Sequence, residues 1–260
     1  MLKAKNMAFS YHSREILKDV SVLIEPGKVY GFLGRNGSGK TTMLKLLNGL
    51  LKPDKGEVLI EADGITLDIH RDSKAAIAKY LGFVPQENRG IFPYRVLEMV
   101  VMGRNPHLRY LERPKDDDYE IARDALATIG IEYLWNKNFM EISGGERQMV
   151  LMARVIAQGA RYLILDEPTS HLDFKNQHQI LQLVKRISNE HNVAAIMAMH
   201  DPNLALSVTD YILMLKDGEI MAEGRPHEVM TEENLQSLYD MGVCLTATEI
   251  GDMYIKPKEM

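Results

Sequence analysis

Gly34-Arg35-Asn36-Gly37-Ser38-Gly39-Lys40-Thr41-Thr42 follows the apolar run Val29–Leu33 and leads into Met43-Leu44-Lys45-Leu46-Leu47, whose pattern predicts a helix. The spacing G-x-x-x-x-G-K-[ST] between a strand and a helix is that of a phosphate-binding loop. Glycines at Gly34, Gly37 and Gly39 let successive backbone N–H groups turn inward, and the helix points its positive end at the same charge. Lys40 is placed to reach the β- and γ-phosphates, and Thr41 to offer a hydroxyl to Mg²⁺, a cation that demands near-octahedral oxygen ligands. The stretch predicts a site for a nucleoside triphosphate, with Arg35, Asn36, Ser38 and Thr42 completing the loop.

Two further blocks say what is done with the nucleotide. Tyr162–Leu165 runs into Asp166-Glu167, which puts two carboxylates at the end of a strand. Behind a phosphate loop, the first carboxylate of such a pair holds Mg²⁺, usually through water, and the second polarises the water that attacks the γ-phosphorus. Ser143-Gly144-Gly145-Glu146 opens a helical pattern through Met149, Ala153 and Ile156. Ser-x-x-Glu is a capping box. Two adjacent glycines in a first turn each cost about 1 kcal/mol against alanine, so capping alone would not select them, whereas bare backbone N–H groups at a helix start suit phosphate.

With these three blocks in this order, the chain resembles the nucleotide-binding domains of ABC transporters from Tyr11 to about Gly224. The resemblance implies ATP and Mg²⁺ as ligands and gives roles to single positions. Tyr11 stands where the family places an aromatic that stacks on adenine. Gln86 matches the glutamine that touches Mg²⁺ and the attacking water. His200 matches the switch histidine expected at the γ-phosphate, and Asp173, in Ser170-His171-Leu172-Asp173, matches the acidic position of a loop running along a partner subunit. Arg35 replaces a common proline and Ile142 a common leucine, and neither change removes a functional group.

The residues alone predict a compatible fold. Gly34, Gln86, Asp166 and His200 each come after an apolar run of strand length, and such runs alternate with helical patterns. That pattern implies an α/β core with a mainly parallel sheet, whose ligands sit at the carboxyl ends of its strands. Lys3–Tyr11 and Ile16–Glu25 read as an N-terminal antiparallel β layer. Arg95–Gly103, Asp116–Ile129 and the helix after Ser143 form an inserted helical subdomain over 87–160, between core segments 1–86 and 161–224, with 225–260 as an appendage holding a helix from Thr231 and a strand at Met253–Lys256. Asp116-Asp117-Asp118 reads as a favoured helical first turn rather than a metal site.

Composition narrows the setting. In 260 residues there is one such set of motifs, no internal repeat and no apolar run near the ~20 residues that span a bilayer. These features, without a cleavable signal, predict a soluble intracellular protein. A single cysteine, Cys244, excludes an intrachain disulfide and is expected as a small buried side chain; the eight histidines lack metal-ligand spacing. A formal charge of -5 argues against a nucleic-acid surface.

The resemblance also implies partners: an isologous homodimer in which Ser143, Gly144 and Gly145 of one chain face the phosphate loop of the other, two copies of a transmembrane permease, and an external substrate-binding protein. It would place the chain at the cytoplasmic face of the cell membrane. Phe92–His107 resembles ATPase subunits of importers of iron-siderophore, haem, cobalamin and related chelate or oxyanion ligands. Glu87–Tyr94, with apolar Ile91, Phe92 and Tyr94, is expected to dock the permease. The alternatives are the ATPase of an exporter and a non-transport ATPase of DNA repair, chromosome structure or translation. Chromosome-structure types split the motifs by long coiled coils and translation types carry two cassettes, whereas here about a hundred residues separate Lys40 from Ser143.

Overall fold

The computed structural model describes residues 1–86, 93–170, 172–247 and 253–258. Strands β1 (Leu2–Tyr11) and β2 (Arg14–Ile24) precede β3 (Val29–Leu33), the phosphate loop and α1 (Lys40–Leu47). Strands β4 (Lys55–Ala62) and β5 (Ile65–Asp68) follow, then the short α2 (Lys74–Ile77) and β6 (Leu81–Val84). A helical stretch holds α3 (Val96–Val101), α4 (Asp116–Ile129) and α5 (Gly144–Gln158). Alternation then resumes with β7 (Tyr162–Asp166), α6 (Phe174–His191), β8 (Ala194–Met199), α7 (Pro202–Val208), β9 (Tyr211–Lys216) and β10 (Glu219–Gly224). Two more helices, α8 (Pro226–Val229) and α9 (Glu232–Tyr239), lead to the antiparallel pair β11 (Val243–Ala247) and β12 (Met253–Pro257).

The central sheet runs in the order β10-β9-β3-β8-β7-β6, parallel throughout except for β10. β3, β7 and β8 are buried at every position, which is why they read as continuous apolar runs rather than alternating ones. Alternate residues still part company. Tyr30, Phe32, Ile164 and Ile196 pack with α1 and the antiparallel layer, while Val29, Leu33, Leu165 and Met197 pack toward α5 and α6. Leu44, Leu46 and Leu47 of α1 are fully buried in the first of these clusters, so truncating any of them to alanine is expected to cost about 2–5 kcal/mol. The phosphate loop therefore stands on a strand and a helix that are both locked into one core.

The N-terminal strands pair as expected, and the layer is larger than the sequence reading made it, with the order β2-β1-β4-β5. Asp63 and Gly64, at φ 53 and 76, close the β4–β5 hairpin, which fits a primed two-residue turn. The helix expected from Arg95 is α3 followed by a 3₁₀ stretch over Met102–His107. Asp118 accepts a hydrogen bond from the Lys115 amide at 3.0 Å and pairs with Arg104 at 3.1 Å, so the aspartate run opens α4, and among the described residues no group of acids, histidines and cysteines is arranged to hold a metal. Cys244 departs from expectation: it is half-buried, and its thiol points at the Lys256 carbonyl 3.7 Å away, across the β11–β12 ladder. Among the described residues no helix is long and apolar enough to cross a membrane.

Candidate active site

Close packing shapes the phosphate loop. A Cβ at Gly34 would meet the Leu215 carbonyl oxygen at 2.4 Å and Ser38 Oγ at 2.5 Å; Gly39 has a φ of +108 and lies against Leu17. A side chain at either glycine would break the loop. The Lys40 ammonium curls back over it, donating to the carbonyls of Gly34 at 2.7 Å and Arg35 at 3.0 Å. Burial lowers the pKa of Lys40, and the nearby Glu167 and Asp166 charges oppose that shift. Ser38 Oγ is buried without a hydrogen-bond partner among the described residues, as fits a cradle whose polar contacts are made to a ligand.

Thr41 follows on the first turn of α1 and donates its hydroxyl to Asp166 Oδ1 at 2.9 Å. Desolvation pushes the Asp166 carboxyl up, and the Thr41 bond works against it. Gln86, two residues beyond β6, donates its amide to Glu167 Oε2 at 3.0 Å, and His200 Nδ1 stands 3.9 Å from the same oxygen. Thr41, Asp166 and Gln86 offer oxygen donors of the hard kind that suits Mg²⁺. Glu167 has a backbone φ of 48, in the left-handed region that disfavours an ordinary side chain. The strand ends thus gather Lys40, Thr41, Gln86, Asp166, Glu167 and His200. Asn36, Gly37, Thr42, Gln86 and Glu167 line a cleft of about 430 Å³, and Arg35, Glu167 and His200 help to line an adjoining cavity of about 470 Å³.

Ser143, Gly144, Gly145 and Glu146 are not brought to that cleft. Ser143 caps α5: its hydroxyl accepts from the Glu146 amide at 3.3 Å, and Glu146 Oε2 accepts from the Ser143 amide at 2.8 Å and hydroxyl at 2.7 Å. Those Ser143 bonds lower the Glu146 pKa. Ser143 and Glu146 face a separate groove of about 740 Å³, shared with Lys175 and Asn176 of α6. Asp173 caps α6, accepting from the Asn176 amide at 2.8 Å. Ser143 and Glu146 therefore belong to a second surface with no phosphate loop of its own.

Comparison with known proteins identifies the family. The ABC transporter family model matches residues 17–170, more than half of the chain. The chain belongs to the ABC transporter family. It is similar to an uncharacterized ABC transporter ATP-binding protein of Methanocaldococcus jannaschii, 39% identical over 239 residues that make up 92% of this chain and 91% of the relative. A hemin import ATP-binding protein, HmuV, of Burkholderia thailandensis is 37% identical over 263 residues, 94% of this chain and 95% of that one. A solved structure described as a metal-chelate type ABC transporter in an inward-facing conformation superposes with a TM-score of 0.86 at 29% identity, covering 99% of this chain and 97% of its own.

As an ABC transporter subunit that binds and hydrolyses ATP, the chain shows two further residues at the cleft that no sequence motif announced. Arg14 and Ile16, at the start of β2, line the phosphate-loop cleft. Tyr11 pairs with Arg14 across the β1–β2 ladder and is exposed, its ring edge-on to Phe9 at 4.8 Å. The hairpin partner of a base-stacking candidate is the signal that could have pointed to Arg14. Of the segment expected to dock a permease, Glu87–Phe92 lies outside the described residues, as does His171.

Proposed function

We propose that this ABC transporter subunit powers the import of a metal chelate, with haem-like and iron-siderophore compounds as the cargo class and cobalamin or an oxyanion as related candidates. The observation that carries the catalytic reading is the convergence of Lys40, Thr41, Gln86, Asp166, Glu167 and His200 on one edge of a parallel sheet. The cargo class is supported by the full-length likeness to a hemin import ATP-binding protein. In this reading the loop Gly34–Thr42 holds the ATP phosphates, Lys40 reaches the β- and γ-phosphates, and Tyr11 stacks on adenine. Thr41, Asp166 and Gln86 would hold Mg²⁺, which supplies charge neutralisation at the phosphate oxygens. Glu167 accepts the proton of the attacking water, Gln86 orients the Glu167 carboxylate, and His200 contacts the γ-phosphate side.

ABC cassettes form dimers and act with a transmembrane permease in importers. The finer assembly is part of the proposal: two copies of this chain, with Ser143, Gly144, Gly145 and Glu146 of each facing the ATP of the other and Asp173 running along the interface, beneath two permease subunits fed by an external binding protein. The pair would sit peripherally on the cytoplasmic face of the membrane. Loss of the γ-phosphate would remove the contacts that favour closure, turning hydrolysis into an open–close cycle. The deciding experiment is reconstitution of the chain with its copurifying permease and binding protein in vesicles. ATP-dependent accumulation of hemin or a ferric chelate is expected, and active uptake of an unrelated solute with no chelate transport would reject the cargo.

A further inference from the structure

The segment after Gly224 carries none of the nucleotide motifs, yet α9 ends against two of them. Asp240, which caps α9 at a φ of 51, pairs with the guanidinium of Arg35 in the phosphate loop and with the Lys216 ammonium, the latter at 2.7 Å. Its neighbour Tyr239 donates its hydroxyl to the main-chain carbonyl of His200 at 3.2 Å. The Tyr239 ring also walls the cavity of about 470 Å³ that Arg35, Glu167 and His200 share. One dipeptide thus touches both the loop that holds phosphate and the turn that carries the histidine.

A third contact grips the far side of that turn. Asn203, in the first turn of α7, donates to the Ile255 carbonyl at 2.9 Å and accepts from the Ile255 amide at 2.8 Å. The hairpin strand β12 therefore holds α7 just past His200.

These contacts suit position more than stability. Arg35 and Asp240 are both more than half exposed, at 56% and 53%, so their ion pair contributes little to folding. The Arg35 carbonyl, however, is one of the two acceptors of the Lys40 ammonium, so tethering the Arg35 side chain steadies the seat of Lys40. The His200 side chain is 56% exposed and sits beyond hydrogen-bond reach of Glu167. An exposed side chain on a turn goes where its backbone puts it, and the Tyr239 hydroxyl holds that backbone. Burial, with the Asp201 charge adding to it, raises the Tyr239 pKa, so the phenol remains a donor at neutral pH.

We infer that Tyr239 and Asp240 are positioning residues for ATP hydrolysis, tying the phosphate loop to the His200 turn across the cavity between them, which makes the C-terminal segment a working part of the site. The inference rests on the reading of Lys40, Glu167 and His200 given above.

The test uses the purified full-length chain as wild type, Tyr239→Phe, Asp240→Asn, Arg35→Ala and the Arg35→Ala/Asp240→Asn pair. For each, kcat and KM for ATP, the Kd of a fluorescent ATP analogue and the thermal midpoint are measured. Tyr239→Phe keeps the ring and loses one hydrogen bond; kcat is expected to fall about 3–10-fold, with analogue Kd within about twofold and the midpoint unchanged. Asparagine tolerates the left-handed cap, so Asp240→Asn removes the charge and keeps the turn. In the double variant, kcat/KM is expected to differ by about threefold or more from the product of the single effects, as two groups acting as a unit require. A Tyr239→Phe enzyme with wild-type kcat, or independent effects at Arg35 and Asp240, overturns the inference. So does a slowed Tyr239→Phe enzyme that has also lost analogue binding and several degrees of midpoint, since that is a folding defect. Glu167→Gln is the control for the underlying reading. If it turns over normally both ideas fall; if it is silent while Tyr239→Phe runs at full speed, only the positioning role falls.

Discussion

The chain has two glycine-rich helix starts, and they differ in what their glycines are for. At α1 the surrounding chain demands them: Gly34 is pressed against the Leu215 carbonyl and Gly39 sits at positive φ beside Leu17. At α5 the local structure makes no comparable demand on Gly144. Among the described residues a Cβ there would meet only Leu172, at an ordinary 3.8 Å, and φ is unexceptional; at Gly145 the nearest such atom, at 3.1 Å, belongs to the side chain of Asn176. A poor helix former where alanine would fit is what the proposed contact with a second chain would explain. The first glycine loop is complete within its fold; in the proposed dimer, the second would be half of a site.

The sharpest way to break this contrast is at the complete half. Glu167→Gln preserves shape and hydrogen bonding but removes the proton acceptor, so ATP turnover is expected to drop by about 10²-fold or more while nucleotide binding persists. Phosphate-release kinetics near the wild-type rate would show that Glu167 is not the base. Next, Gly144→Ala separates stability from function. The variant should melt no earlier than wild type, since alanine is the better helix former by up to about 1 kcal/mol, yet turnover should fall about tenfold or more through loss of a transition-state contact. If Gly144→Ala is fully active, the glycine answers to nothing in trans.

Mixing two dead chains tests the shared site directly. Lys40→Ala and Gly145→Asp should each be inactive alone, and heterodimers should recover a fraction of wild-type activity, because one of their two composite sites keeps both intact elements. Silence in confirmed heterodimers would count against sharing. The smallest effect concerns the cap itself: Ser143→Ala should destabilise the fold by about 1 kcal/mol. Because Ser143 holds Glu146 below its ordinary carboxylate value, that contribution is present at neutral pH and is lost as pH falls through the folded-state pKa of Glu146. Urea midpoints of wild type and Ser143→Ala should therefore converge in acid.

What was legible in the sequence was whatever a short stretch specifies by itself. The buried strands β3, β7 and β8 announce themselves as apolar runs, and each motif residue follows its strand directly. Asp63-Gly64 between alternating runs is a hairpin signal that the sequence carries for β4 and β5, and it lies outside the N-terminal stretch from which the antiparallel layer is expected. The half-burial of Cys244 is not legible, because composition says nothing about which face of a strand a residue takes. The contacts of Tyr239 and Asp240 were beyond reach for a different reason. Arg35 and Asp240 stand 205 positions apart, and a pairing at that separation leaves no local pattern.

The backbone of Glu167 turns left-handed one residue after β7 ends, a conformation that costs a non-glycine residue about 1–2 kcal/mol. The energy is stored at the residue proposed as the base, and the substitution that would release it, Glu167→Gly, would also remove the proposed proton acceptor. A library of this gene screened for heat resistance alone should drift toward glycine or asparagine at position 167, while one grown on the transported nutrient should never do so. On the proposed role of Glu167, the genotype favoured for endurance and the genotype favoured for work would diverge at a single codon.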